Sequence, residues 1–308
     1  MMQEMTFKRY LDGFLKVPIF ALERFVEMAG RSAVLCLLAI VLTVSGDKIY
    51  KDLKSVLDKN VWPGIKVRRE WVRLDEMRYE VLTQTLPDNF DWRKQKVVTE
   101  VKDQGKLDVS DVFAVVGAIE SCWAIRTGNL NTLSEQQLVD CGRNETSANL
   151  REVFESVSSL GGLAPNSSYP YVAQHQQCKL NKTEISVRIE GHLKMHNEEA
   201  MARYLMAKGP FVVAFNGKDS LASYKGGIVN FNSTQCPPTK LSQAGLVVGF
   251  GVEAKMPFWI LKNSRGGKWG ENGYFRIARG SNTCGIASNV YSPFFDVDIG
   301  GPNIFVAM

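Results

Sequence analysis

The spacing of apolar residues changes character once along this chain of 308 residues, near Ile185, and that change limits the folds open to it. Before it, from Asp111 to Thr127, Val112, Phe113, Val116, Ile119 and Trp123 recur at helical intervals. Asp108 and Ser110 supply N-cap chemistry there, and Gly128 is placed to close the helix. Ser134-Glu-Gln-Gln137 reads as a capping box opening a second helix into Leu138 and Val139. A third is expected from Asn149 to Leu160, ended by Gly161 and Gly162. After Ile185 come short β-rich runs divided by Gly and Pro: 211–215, 245–250, 258–261 and 274–277, with one helix near 198–207. Helices first and strands later predict an α+β protein. Two lobes are expected, a helical one over about 95–185 and a strand-rich one over about 186–293.

The segments before residue 86 have a different texture. Ala33 to Val44 is an apolar run preceded by Arg31 and followed by Ser45, Gly46 and Asp47. About twelve such residues fit the core of a signal peptide and fall short of a membrane span. Residues 1–46 are therefore expected to direct the chain to secretion or to a lysosomal or other endomembrane lumen. The long amphipathic stretch before the run keeps an uncleaved single-pass type II anchor as the alternative, and only then is a membrane a partner. Residues 47–85 are charged and read as a short leader, while Leu86-Pro-Asp-Asn-Phe-Asp-Trp-Arg93 opens a domain.

Cysteines and sequons agree with an oxidising destination. Cys36 lies in the apolar run; Cys122, Cys141, Cys178, Cys236 and Cys284 remain, an odd set that leaves one thiol over. Cys122, on a helix beside Trp123, is expected to be a buried small hydrophobe. Four glycosylation sequons begin at Asn144, Asn166, Asn181 and Asn232. The net charge of +5 is scattered in short basic runs without interleaved aromatics, so no nucleic-acid partner is expected. No cofactor and no metal site are expected either.

Four ordered blocks resemble the papain-like cysteine proteases, the cathepsin group. Leu86 to Arg93 resembles the start of the mature enzyme. Val101-Lys-Asp-Gln-Gly105 through Val116-Gly-Ala-Ile-Glu120 resembles the segment with the oxyanion glutamine and the nucleophile. Leu133-Ser-Glu-Gln-Gln-Leu-Val-Asp-Cys141 matches a family hallmark. Trp259-Ile-Leu-Lys-Asn-Ser264 continues through Trp269-Gly-Glu-Asn-Gly-Tyr-Phe-Arg-Ile277 to Cys284-Gly-Ile286. The resemblance covers 86–293 and implies a helical left lobe, a β-barrel right lobe and a cleft between them. It also implies the disulfides Cys141–Cys178 and Cys236–Cys284. It leaves 47–85 as a shortened propeptide-like leader and 294–308 as an extension past the family's usual end.

At the site the chain departs from the pattern. The family reads Gln-Gly-x-Cys-Gly-Ser-Cys-Trp-Ala-Phe; here the run is Gln104-Gly-Lys-Leu-Asp-Val-Ser-Asp-Val-Phe113, which puts Ser110 at the nucleophile and Asp111 beside it. Leu241-Ser-Gln-Ala-Gly245 puts Gln243 at the histidine base, while Asn263 keeps the orienting position and Gln104 the oxyanion donor. Arg265 takes the place of a shielding tryptophan. A family disulfide loses both ends, at Leu107 and near Glu145 to Ala148.

An amide such as Gln243 cannot accept a proton near neutral pH, and a serine hydroxyl needs a base. Losing nucleophile or base in a serine protease costs about a million-fold. The expectation is an inactive homologue of a cysteine endopeptidase, secreted, that binds or regulates a protein or peptide partner at the former substrate cleft. Alternatives are a weak peptidase using Ser110, or an ion site of Asp108, Ser110, Asp111 and Gln243.

Overall fold

The computed structural model describes residues 86–142, 149–217 and 221–295. The apolar run 33–44, the leader, the 294–308 extension beyond residue 295, Asn144 and the Glu145 to Ala148 loop lie outside them. Four helices are described: α1 (Ser110–Thr127), α2 (Glu135–Cys141), α3 (Leu150–Leu160) and α4 (Glu198–Lys208). Eight strands follow or flank them: β1 (Phe90–Asp91), β2 (Gly191–Met195), β3 (Phe211–Phe215), β4 (Ile228–Val229), β5 (Gln243–Glu253), β6 (Met256–Lys262), β7 (Tyr274–Ala278) and β8 (Asn289–Phe294). The α+β order read from the sequence holds.

Helix α1 is more deeply placed than its apolar spacing implies. Every residue from Ser110 to Cys122 is buried, so it is a central helix covered on all sides and not an amphipathic one. Gly128 ends it in the left-handed conformation at φ 76°, its N–H bonding Ala124 O. The other end differs from expectation: the N-cap is Val109, without a side-chain bond, and Ser110 is the first helical residue. Ser134 does cap α2, accepting from Gln137 N. The reciprocal half of the capping box is missing, because the Gln137 side chain instead donates to Gly162 O at 2.8 Å and accepts from Ala164 N at 2.7 Å. In α3, Leu150, Val153, Phe154 and Val157 bury one stripe.

The strands form one sheet in the order β2-β8-β3-β5-β6-β7-β4, with β1 on β5. All pairs are antiparallel except β4 with β7. Both faces of its middle are buried, and the alternation along each strand sorts side chains between two cores. On β3, Val212 and Ala214 join Val112, Val116 and Ile119 of α1, whereas Phe211, Val213 and Phe215 join Met201 and Leu205 of α4. On β6, Phe258 and Ile260 go to the first core, Trp259 and Leu261 to the second. Two-sided burial explains why these strands read as unbroken apolar runs. At Gly117 a Cβ would stand 3.2 Å from Leu246 Cδ2, so glycine lets α1 press against β5.

The disulfides Cys141–Cys178 and Cys236–Cys284 are formed, and Cys122 is free and buried. Its Sγ donates to Pro210 O at 3.3 Å, and burial pushes the thiol up to about 12. No helix among the described residues is long and apolar enough to cross a membrane.

Candidate functional site

The candidate site lies where α1 begins against the start of β5 and the end of β6. Ser110 is 4% exposed, and its Oγ accepts the N–H of Ala244 at 3.0 Å. The hydroxyl that the sequence offers as cap chemistry thus spans from helix to sheet. Gln243, the first residue of β5, pairs with Phe215 and is buried; its Oε1 has no hydrogen-bond partner among the described residues. Asn263 follows β6 directly. Its Oδ1 accepts from Ser264 N at 2.8 Å, which leaves the buried Nδ2 without a partner among the described residues.

Gln104 is positioned by two loops running side by side. Gln104 N donates to Ser264 O at 2.9 Å, Gly266 N donates to Lys102 O at 3.1 Å, and Asp103 bridges Arg265. The Gln104 amide is occupied at both ends. Its Nε2 donates to Leu107 O at 2.5 Å, and its Oε1 accepts from Ser264 Oγ at 2.6 Å. Arg265 lies half-buried with its guanidinium 6.0 Å from the Trp269 ring centre.

Ser110 and Asn263 line one small cavity together with Ala244 and Ser264, and Gln243 adjoins it through Ala244. The cavity is small and opens in part to solvent. None of the three histidines lines it. His192 stacks on Phe154 and meets Tyr291 edge-on, and burial lowers its pKa; His175 and His196 are exposed. Among the described residues no group of three or more His, Cys, Asp or Glu side chains is arranged to hold a metal. Asp111 is buried at the helix start, where its Oδ1 accepts from Val112 N and the helix dipole favours its charge.

The papain family cysteine protease description matches residues 86–294. The chain belongs to the papain family. It is 38% identical to cathepsin F of Drosophila melanogaster over 213 residues, 66% of this chain and 34% of that protein. It is also 38% identical to the viral cathepsin of Antheraea pernyi nuclear polyhedrosis virus, over 67% of this chain and 64% of the relative. The digestive procathepsin L2 proteinase of Tenebrio molitor larval midgut superposes with a TM-score of 0.65 at 38% identity, covering 69% of this chain and 70% of that one. The chain spans between about a third and two thirds of the length of these curated relatives.

The opposite wall of the cavity carries side chains that the sequence reading did not single out. Lys102 Nζ donates to Glu120 Oε1 at 2.8 Å and to Glu135 Oε1 at 2.5 Å. Thr99 Oγ1 donates to Glu120 Oε2 at 2.6 Å and accepts from Lys262 Nζ at 2.9 Å. Leu133 N adds a third bond to Glu120. Both carboxylates and Lys262 are almost fully buried. Burial pushes Glu135 up to about 7 despite Lys102, which it shares with Glu120, and its Oε2 has no partner among the described residues. Burial lowers Lys262 to about 8. A signal existed for two of the four charges, which interrupt apolar runs inside family-like blocks: Glu120 after Val116-Gly-Ala-Ile and Lys262 after Trp259-Ile-Leu.

Proposed function

We propose that this papain-family chain is a secreted, non-catalytic binding protein. The observation that carries the reading is the amide of Gln243 where the family base belongs, next to a serine whose hydroxyl is spent on Ala244 N. Cysteine protease chemistry needs a thiolate made by a neighbouring base. Here the two family positions hold an alcohol, far less acidic than a thiol, and an amide that takes no proton. No histidine reaches the cavity to replace it. Gln104 Nε2 gives one of its two N–H groups to Leu107 O, which leaves a single donor there for an oxyanion.

The partner is a protein or an extended peptide that meets the surface around the former cleft. The intact fold supports binding there. Secretion draws support from the two disulfides, which persist in oxidising compartments.

The test is purification from secreting cells, a peptidase assay over a broad peptide library, and identification of proteins that co-purify. No hydrolysis above background and a saturable partner are the expected results. Robust hydrolysis abolished by Ser110→Ala overturns the reading in favour of a serine nucleophile.

A further inference from the structure

The sequons differ in whether the folded chain can carry an oligosaccharide. Asn166 is half-buried beside the Leu133–Pro165 bridge, with its N–H tied to Thr132 O at 3.0 Å. The hydroxyl of its sequon, Ser168 Oγ, donates to Pro165 O at 3.1 Å and so faces its own turn. Asn181 and Asn232 are exposed, unlike Asn166, while Ser168, Thr183 and Thr234 are all exposed.

Their amides are also oriented. Asn181 Oδ1 accepts from Thr183 N at 3.2 Å and Thr183 Oγ1 at 2.8 Å, while Nδ2 reaches only the exposed Glu184 Oε1 at 3.2 Å. Asn232 Oδ1 accepts from Thr234 N at 3.0 Å and Gln235 N at 2.9 Å. In both, the amide oxygen turns onto its own backbone and the amide nitrogen, which bears the sugar, turns outward. Neither asparagine lines the cavity at Ser110.

We propose that Asn181 and Asn232 are N-glycosylated and that Asn166 stays bare in the folded protein. In the transfer, Nδ2 attacks C1 of a lipid-diphosphate-linked oligosaccharide. A C–N bond forms, the C–O bond to the diphosphate breaks, the lipid diphosphate leaves with the electron pair, and Nδ2 gives up one proton. Its second hydrogen remains, so the Asn181–Glu184 contact survives the modification. Transfer takes place on the emerging chain; a glycan at exposed Asn181 or Asn232 is compatible with the fold that follows, whereas one at half-buried Asn166 crowds the Leu133–Pro165 bridge.

The inference rests on the secretory part of the reading above, and the experiment separates the two. The full chain is expressed in secreting animal cells, recovered from medium and cell lysate, and treated with peptide N-glycosidase in heavy-oxygen water before peptide mass spectrometry. Heavy-oxygen aspartate at positions 181 and 232, with unlabelled asparagine at 166, is the expected result. Asn181→Gln and Asn232→Gln should each remove one step of the gel-mobility shift. Disulfide-bonded protein in the medium without label at either position overturns the inference while secretion stands. Protein retained in the cytosol with free thiols and no label overturns both. Label at Asn166 in secreted protein overturns the selection among sites.

Discussion

Two seams join the helical half of this protein to its sheet, and members of both line one cavity. One is the family site, where Ser110 meets Ala244 and Gln104 meets Ser264. The other is the charge network, in which Lys262 reaches Thr99, Thr99 reaches Glu120, and Lys102 joins Glu120 to Glu135. The first is made of neutral groups, so a member can be exchanged for another polar side chain at the cost of a hydrogen bond. The second holds buried charges, and removing any one strands its partners in a low-dielectric interior. On the proposed reading, that asymmetry explains how the reacting positions can change while the scaffold around them stays ordered.

The largest expected effect comes from breaking the charged seam. Glu120 accepts from Lys102, Leu133 and Thr99, and it lies 1% exposed. Glu120→Ala should destabilise the protein by about 3–5 kcal/mol, the cost of leaving a buried partner uncompensated. Urea unfolding checks it; a loss below about 1 kcal/mol means that water reaches the network freely.

Rebuilding the neutral seam sharpens the contrast next. Ser110→Cys with Gln243→His restores a thiol and an imidazole at the family positions. Hydrolysis should nevertheless stay about 100-fold or more below an active family member if the bond to Leu107 O holds the second Gln104 N–H away from an oxyanion. Full activity in the double variant shows that Gln104 turns readily, and that only the two reacting groups were missing.

The charged seam should also read out in pH. Glu135 titrates at about 7 in the fold against an ordinary 4.5, raised by burial, so folding favours its protonated form. Its contribution to stability is then complete below about 4.5 and lost as pH rises through about 7. Lys262, lowered by burial from 10.5 to about 8, contributes above 10.5 and loses that contribution as pH falls through about 8. Glu135→Gln should flatten the stability profile between about pH 4.5 and 7, removing a change on the order of 2 kcal/mol. It should leave the limb between pH 8 and 10.5 in place. Melting temperatures across a buffer series decide this, and an unchanged acid limb overturns the assignment.

Much of this contrast was legible in the sequence, but unevenly. Apolar spacing located α1, α3 and α4, while the main strands stood out as short apolar runs between Gly and Pro, their alternation erased by burial on both faces. Spacing did not show that α1 is buried all round, since its second side packs on β3 and β5, distant in sequence. Ser134 was legible as a cap because that bond is local; Ser110 was not legible as a tie to Ala244, a contact across 134 positions. Glu120 and Lys262 stood in plain view as charges within apolar runs. What the sequence lacked was their pairing through Thr99, which only folding brings between them.

The smallest effect bears most directly on Ser110. If its hydroxyl serves structure, Ser110→Ala removes the acceptor for a buried N–H at Ala244 and should cost about 1–2 kcal/mol. Ser110→Thr keeps the acceptor and should recover part of that loss if the extra methyl fits. If the hydroxyl serves chemistry instead, Ser110→Ala should leave stability nearly unchanged and abolish any hydrolysis present. Unfolding midpoints and peptidase rates measured on the same three proteins separate the two roles, because one moves the midpoint and the other moves the rate.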